Sequence, residues 1–108
     1  MKLIETGALE AALAEFAQAR DWERFHTPKN LAMALSVEVA ELVEIFQWRT
    51  EAESNAVMQS DEALHVEQEL ADVALYLVRL SSVLGVDLDA AIAAKLKLNA
   101  IKYPASAD

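Results

Sequence analysis

The chain has 108 residues, of which 55% are hydrophobic and 25% charged, a composition that argues against intrinsic disorder and predicts one domain spanning residues 1–108. The absence of cysteine excludes disulfides and thiolate chemistry, and the net charge of -9 argues against nucleic acids and anionic membranes as partners. Because the sequence shows neither a targeting signal nor an apolar stretch long enough for a membrane span, we expect a cytoplasmic protein.

Helical periodicity in the first half of the chain predicts two helices. The first covers residues 7–19 and is rich in Ala, Leu and Glu. The second begins at Pro28, with Thr27 as its N-cap, and continues to about Trp48. Residues 49–60 are polar and lack periodicity, so we predict a loop there.

The second half predicts two more helices. One begins near Asp61 and ends at Gly85, which suits the position after a helix C-terminus. The other covers residues 88–102, with Asp87 as its cap. The first of the two has an apolar seam at heptad spacing, formed by Val66, Leu70, Val73, Leu77, Leu80 and Leu84. Since such a seam requires a partner helix, we predict an all-α four-helix bundle.

Four acidic residues occupy helical positions at which carboxylates are costly. Glu38 lies on the apolar face of the second helix, with Glu41 one turn on, and a carboxylate on a buried face must be paired, protonated or bound to metal. Glu69 and Asp72 lie beside the seam of the third helix. Four converging carboxylates without Cys suit Mg²⁺ or Mn²⁺. The alternative is that these acids are solvated or pair with Arg and Lys.

The last helix differs from the others in charge, because residues 90–107 contain no acid. Lys95, Asn99 and Lys102 share one helix face, and Tyr103 follows. Donors of this kind near a metal could hold a polyphosphate. The alternative interpretation is that late lysines interact with the helix dipole.

Aromatic residues cluster at Trp22, Phe25 and His26 in the first link, and Trp48 and Tyr76 lie near the acidic positions in the predicted helices. Aromatic rings beside a metal site can hold a nucleobase by stacking. For any single ring, core or interface packing is the alternative.

The segments together resemble a known family. They read D-W-E-R-F-H-T-P-K-N-L at 21–31, E-V-A-E-L-V-E-I-F-Q-W at 38–48, E-L-A-D-V at 69–73 and K-L-K-L-N-A-I-K-Y-P at 95–104. Their order resembles the MazG-like superfamily of all-α nucleoside triphosphate pyrophosphohydrolases, and the dCTP pyrophosphatase type is the subgroup that it resembles most.

The resemblance implies hydrolysis of a (deoxy)nucleoside triphosphate, dCTP-like or modified, to a monophosphate and pyrophosphate, as nucleotide-pool housekeeping. It implies Mg²⁺ ligands at Glu38, Glu41, Glu69 and Asp72. It implies a base pocket at Trp22, Arg24, Phe25, His26, Trp48 and Tyr76. Phosphate contacts are expected from Lys95, Asn99, Lys102 and Tyr103. The resemblance also implies a homodimer or homotetramer in which a neighbouring subunit completes each site, and the heptad seam agrees with that. Some dCTP-type members carry a His on helix one where this chain has Leu13, and leucine offers no hydrogen bond to a base.

We expect Glu38 or Glu41 to orient or deprotonate the attacking water, and the lysines of the last helix to stabilise the leaving pyrophosphate. Two other functions stay open from the sequence. One is a ferritin-like di-metal bundle, since Glu-x-x-His occurs at residues 23–26 and 62–65. The other is a non-catalytic helical interaction module in which the seam serves only assembly.

Overall fold

The computed structural model describes residues 1–106, and these residues form helices and connecting turns with no β-strand. The longer helices are α1 (Gly7–Ala19), α2 (Pro28–Phe46), α4 (Ala63–Leu84) and α5 (Leu88–Lys102), and α3 (Glu51–Asn55) is a short helix. Single 3₁₀ turns lie at Glu23–Phe25 and Val57–Gln59. Within residues 1–106, none of the helices combines the length and apolarity that crossing a bilayer requires.

The ends of the long helices follow the capping residues that the sequence supplies. The Thr27 hydroxyl accepts a hydrogen bond from the Asn30 N–H at 3.3 Å, and Asp87 Oδ1 accepts from the Ala90 N–H at 3.1 Å. Gly85 follows α4 with φ 70°, a left-handed conformation that glycine adopts without a steric penalty. These three predictions are confirmed, although α2 ends at Phe46, two residues earlier than predicted.

The prediction of a loop over residues 49–60 is wrong, because a capping box starts a short helix there. The Thr50 side chain accepts from the Glu53 N–H at 3.2 Å, and Glu53 Oε1 accepts from the Thr50 N–H at 2.8 Å. These reciprocal bonds satisfy two backbone donors that a helix start would otherwise leave unpaired. Five helical residues are too few to show an amphipathic period, so periodicity could not detect α3.

Helices α2 and α4 pack against each other and run in opposite directions. Residues before the start of α2 meet the later part of α4, since His26 is hydrogen-bonded to Arg79. Residues near the end of α2 meet the start of α4, since Ile45 packs with Val66 and with Val57 of the intervening turn. Helix α1 packs on α4 and adds the fully buried Ala17. The core of one chain is therefore built from α1, α2, α4 and the connection between the last two.

Helix α5 contributes no buried residue to this core. Its first turn is attached to the start of the chain, where Asp89 Oδ1 accepts the N–H groups of Leu3 at 2.7 Å and Ile4 at 3.0 Å. The predicted α4 seam is also only partly covered: Val66 is buried, but Leu70, Leu77 and Leu84 are exposed. Within one chain, three of the four long helices share a core, and much of the apolar surface stays uncovered.

Candidate active site

Three carboxylates from two helices converge between α2 and α4. The spacing of Glu38 and Glu41 places both on one face of α2, and antiparallel packing brings Glu69 of α4 opposite them. One oxygen from each side chain lies within 4.8 Å of the others. The structure therefore brings together three of the four acids that the sequence identified.

The cluster is partly buried, and two of its oxygens have no hydrogen-bond partner among residues 1–106. Glu69 is only 8% exposed, whereas Glu38 and Glu41 are half-buried, and the two oxygens are Oε2 of Glu69 and Oε2 of Glu38. Burial raises the pKa of Glu38 to about 7. Hydrogen bonds that its protonated form shares with Glu69 and Glu41 add to the rise, as does repulsion from Glu41 and Asp72. Without a cation, the cluster is expected to retain a proton near neutral pH.

His65 borders the acid cluster, whereas sequence analysis placed it only in the Glu-x-x-His motif of the alternative di-metal bundle. Its Nδ1 lies 2.8 Å from Glu62 Oε2, and its Nε2 lies 3.5 Å from Glu69 Oε1. The hydrogen bond to Glu62 is the main reason that the pKa of His65 is raised. The i, i+4 spacing of His65 and Glu69 was visible in the sequence, but spacing alone does not distinguish this contact from a solvated pair.

The donor set suits a hard divalent cation. Glu38, Glu41 and Glu69 offer only carboxylate oxygens, the ligands that Mg²⁺ and Mn²⁺ prefer. A cation would also satisfy the two buried oxygens that receive no hydrogen bond. These three side chains could therefore hold a metal ion.

Asp72 lies one turn beyond Glu69 on α4 but does not join the close group of carboxylates. It lines an adjacent cavity, and its charge contributes to the raised pKa of Glu38. In this structure Asp72 thus connects the acid cluster to the cavity beside it.

That cavity lies between α1, the link before α2 and α4, and has a volume of about 140 Å³. Its lining residues are Leu13, Phe16, Trp22, His26, Asp72, Leu75, Tyr76 and Arg79. We call it the aromatic cavity. The rings of Phe16 and Trp22 meet edge to face with centroids 5.6 Å apart. Of the predicted base-binding residues, Trp22, His26 and Tyr76 line this cavity. Sequence analysis gave no role to Phe16 or Arg79, although Arg79 lies three residues after Tyr76 and so on the same face of α4.

The other three predicted base-binding residues do not line the aromatic cavity. Trp48 is 88% exposed and borders a separate cleft with Arg49 and His65, because α2 ends before it. Phe25 is exposed on the 3₁₀ turn, under the guanidinium of Arg24 at 4.7 Å. Arg24 itself forms a surface ion pair with a neighbouring aspartate. In a single chain these three residues lie outside the aromatic cavity, and their role in base binding stays a prediction.

The predicted phosphate-binding residues lie on and just after α5. Lys95, Lys102 and Tyr103 are exposed, and the Lys102 ammonium lies 5.2 Å from the Tyr103 ring centre. Neither these residues nor Asn99 line the aromatic cavity, and none belongs to the acid cluster. One chain therefore does not bring the α5 residues to the carboxylates.

The sequence that forms this arrangement matches the model of a known protein family. The family model described as the MazG-like family matches residues 33–108, which include the acidic positions of α2 and α4 and all of α5. The chain belongs to the MazG-like family.

Relatives of this MazG-like chain include dCTP pyrophosphatase 1 of Rattus norvegicus, 47% identical over 92 residues, and of Homo sapiens, 47% identical over 93 residues. The matches cover 84% and 85% of this chain but 54% and 55% of the relatives, so the chain spans about half their length. A pyrophosphatase from Archaeoglobus fulgidus DSM 4304 has a similar crystal structure, with a TM-score of 0.84 and 43% identity over 91% of both chains.

Proposed function

We propose that this MazG-like chain hydrolyses (deoxy)nucleoside triphosphates to a monophosphate and pyrophosphate with Mg²⁺. The single observation that carries the proposal is the close group of Glu38, Glu41 and Glu69 carboxylates, next to the aromatic cavity. Relatives named as pyrophosphatases support the same reaction. Carboxylates suit the metal that a triphosphate needs, and aromatic rings suit its base.

In this proposal, Glu38, Glu41 and Glu69 hold the metal, and Asp72 completes the set from the edge of the aromatic cavity. When bound, Mg²⁺ neutralises phosphate charge and lowers the pKa of coordinated water, and Mn²⁺ is expected to substitute for it. The buried oxygens of Glu38 and Glu69 would then gain the partner that they lack.

One carboxylate of the α2 pair would accept the proton of the attacking water. A general base must lie within hydrogen-bond reach of the water that it deprotonates, and Glu38 belongs to the group of carboxylates that would hold the metal. Glu41 is the second candidate because it shares the face of α2 with Glu38. Trp22 and Tyr76 would hold the base beside this centre, with a stacked ring contributing about 1–3 kcal/mol to binding.

We further propose that the active form is a dimer or tetramer. Large apolar side chains are exposed on α2, α4 and α5, including Met33, Val37, Leu70, Leu96, Leu98 and Ile101. Large apolar side chains that one chain leaves exposed on several helices are consistent with an interface between copies. Assembly would allow Lys95, Asn99, Lys102 and Tyr103 of one copy, and its exposed Trp48, to reach the centre of another.

For the base, we propose a preference for dCTP-like or modified deoxynucleotides, in keeping with relatives named dCTP pyrophosphatase 1. The cavity volume of about 140 Å³ suits one planar ring rather than a whole nucleotide. Leu13 contributes an apolar wall at a place where a histidine would offer a hydrogen bond, so the remaining polar residues must discriminate between bases.

A panel of dNTPs and NTPs incubated with Mg²⁺, with products separated by anion-exchange chromatography, tests the proposal. We expect monophosphate and pyrophosphate, with turnover abolished by EDTA. Diphosphate and phosphate would mean that a different bond is cleaved. If a folded, assembled protein hydrolysed none of these nucleotides, the exposed apolar faces would instead favour a non-catalytic interaction module.

A further inference from the structure

Arg79 joins two sides of the aromatic cavity. Its Nε donates a hydrogen bond at 3.1 Å to Nδ1 of His26, a residue 53 positions earlier in the chain. Both side chains line the cavity and both are partly buried. Within residues 1–106, no carboxylate lies within ion-pair distance of the Arg79 guanidinium. Arg79 thus donates a hydrogen bond to His26 and forms no ion pair within residues 1–106.

This contact defines the state of the His26 ring. A nitrogen that accepts a hydrogen bond carries no proton, so neutral His26 must carry its proton on Nε2. Burial lowers the pKa of His26, and the positive charge of Arg79 lowers it further. The ring is therefore neutral at pH 7, and its Nε2–H has no hydrogen-bond partner within residues 1–106.

The groups around His26 leave Arg79 as the dominant electrostatic influence. From α4, the cavity also receives Asp72 and the Tyr76 hydroxyl, whereas α1 contributes only the apolar Leu13 and Phe16. Trp22 precedes His26 in the link and lines the same cavity. The surface of the cavity is mainly apolar, and within residues 1–106 Asp72 is the only lining residue with a carboxylate.

We propose that Arg79 is a positioning residue, which fixes the tautomer of His26 so that the Nε2–H donates to an acceptor on the edge of a bound pyrimidine base. This inference rests on the proposed function. A pyrimidine base presents O2 as a hydrogen-bond acceptor, and cytosine presents N3 as a second acceptor. A fixed donor selects for such an edge, because a base that presented its own donor would leave both groups unpaired.

The first test reads the histidine directly and needs no turnover. Nitrogen-15 NMR distinguishes protonated from unprotonated imidazole nitrogens, and the chain has 2 histidines, so His65→Gln assigns the signals. In the intact protein at pH 7.5, we expect His26 with Nδ1 unprotonated and Nε2 protonated. The opposite tautomer, or an imidazolium, would overturn the proposal without any substitution at Arg79.

The second test removes the positioning group. In Arg79→Met, we expect the pKa of His26 to rise, because a nearby positive charge is lost. We also expect the KM for the preferred pyrimidine nucleotide to rise about tenfold with kcat little changed, since a tenfold change corresponds to about 1.4 kcal/mol, the size of one hydrogen bond to the base. Arg79→Lys keeps the charge but not the planar donor, so it should retain the low pKa and restore KM only in part.

The exposed Lys29→Met is the matched control, because it removes one positive charge from a residue outside the cavity. Circular dichroism and thermal melting establish that each variant is folded. If the intact protein turns nucleotides over but Arg79→Met changes neither the His26 spectrum nor KM, the positioning proposal fails alone. If NMR shows the expected tautomer but no nucleotide binds, the base-reading part fails together with the proposed function.

Discussion

Oε2 of Glu38 on α2 and Oε2 of Glu69 on α4 are both buried, and neither has a hydrogen-bond partner in the described part of the chain, residues 1–106. The two side chains belong to one group of carboxylates whose oxygens lie within 4.8 Å of one another. Like charges in such a setting destabilise the folded chain unless a proton or a cation intervenes. A bound cation would offset this repulsion, so the cluster favours metal binding.

The first prediction concerns the pH dependence of stability in EDTA. The pKa of Glu38 is about 7 in the folded chain, above its ordinary value of 4.5. Protonation therefore stabilises the fold fully below about pH 4.5, and this contribution is lost as the pH rises through about 7. Between about pH 5 and 8 we expect a loss on the order of 1–2 kcal/mol, a value reduced for solvent screening, measured by urea unfolding.

Glu38→Gln should flatten this slope, because the amide does not titrate. The exposed Glu67→Gln should retain it. Added Mg²⁺ should restore stability at the higher pH, since the cation takes the place of the proton. An identical slope in Glu38→Gln and the unmodified chain would show that another group governs the effect.

The second prediction separates function from stability at Glu69. Glu69→Gln should lower turnover by about 100-fold or more, since it removes a carboxylate ligand. In EDTA the same change should leave Tm equal or higher, because one buried negative charge is removed. Turnover measured beside a thermal melt tests both halves, with Glu67→Gln as the control on the same helix. A variant that lost both activity and stability would indicate a structural role instead.

The third prediction uses the 2 tryptophans of the chain. Trp22 lines the aromatic cavity, whereas Trp48 borders a separate cleft. Trp22 fluorescence, read in Trp48→Phe, should be quenched when a nucleotide binds. Trp22→Ala should raise KM about tenfold, in line with the loss of about 1–3 kcal/mol of stacking.

Trp22→Phe isolates Trp48 and serves as the comparison. In a protein diluted until its assemblies dissociate, Trp48 fluorescence should not respond to nucleotide. A response only in the assembled protein would support a site completed by a second copy. A response from dissociated chains would contradict the separation of the two tryptophans.

The fourth prediction tests the capping box that starts α3. Thr50→Ala removes the hydroxyl that accepts from the Glu53 N–H, at a cost of about 1 kcal/mol. For a domain of this size we expect Tm to fall by roughly 4–8 °C. Thr50→Ser keeps the hydroxyl and should retain most of the stability. Equal Tm values for the alanine and serine variants would mean that α3 does not depend on this cap.

Several features were predictable because they depend on neighbours in sequence. The caps at Thr27 and Asp87 and the glycine after α4 involve residues three or four positions apart. The shared face of Glu38 and Glu41 has the same origin. Predictions about which residues share a site depend on contacts between residues that are far apart in the sequence. The family resemblance places Trp48 and Trp22 in one base pocket, but in a single chain Trp48 borders another cleft because α2 ends before it.

By itself, the sequence determined where the long helices lie and which acids share a helix face, since helical geometry makes these local matters. The tertiary structure decided that Glu69 meets the α2 pair while Asp72 faces the aromatic cavity. It also decided that Arg79 meets His26. Such contacts depend on the register between α2 and α4. This register is set by the packing of Ile45, Val57 and Val66, and no local sequence pattern specifies it.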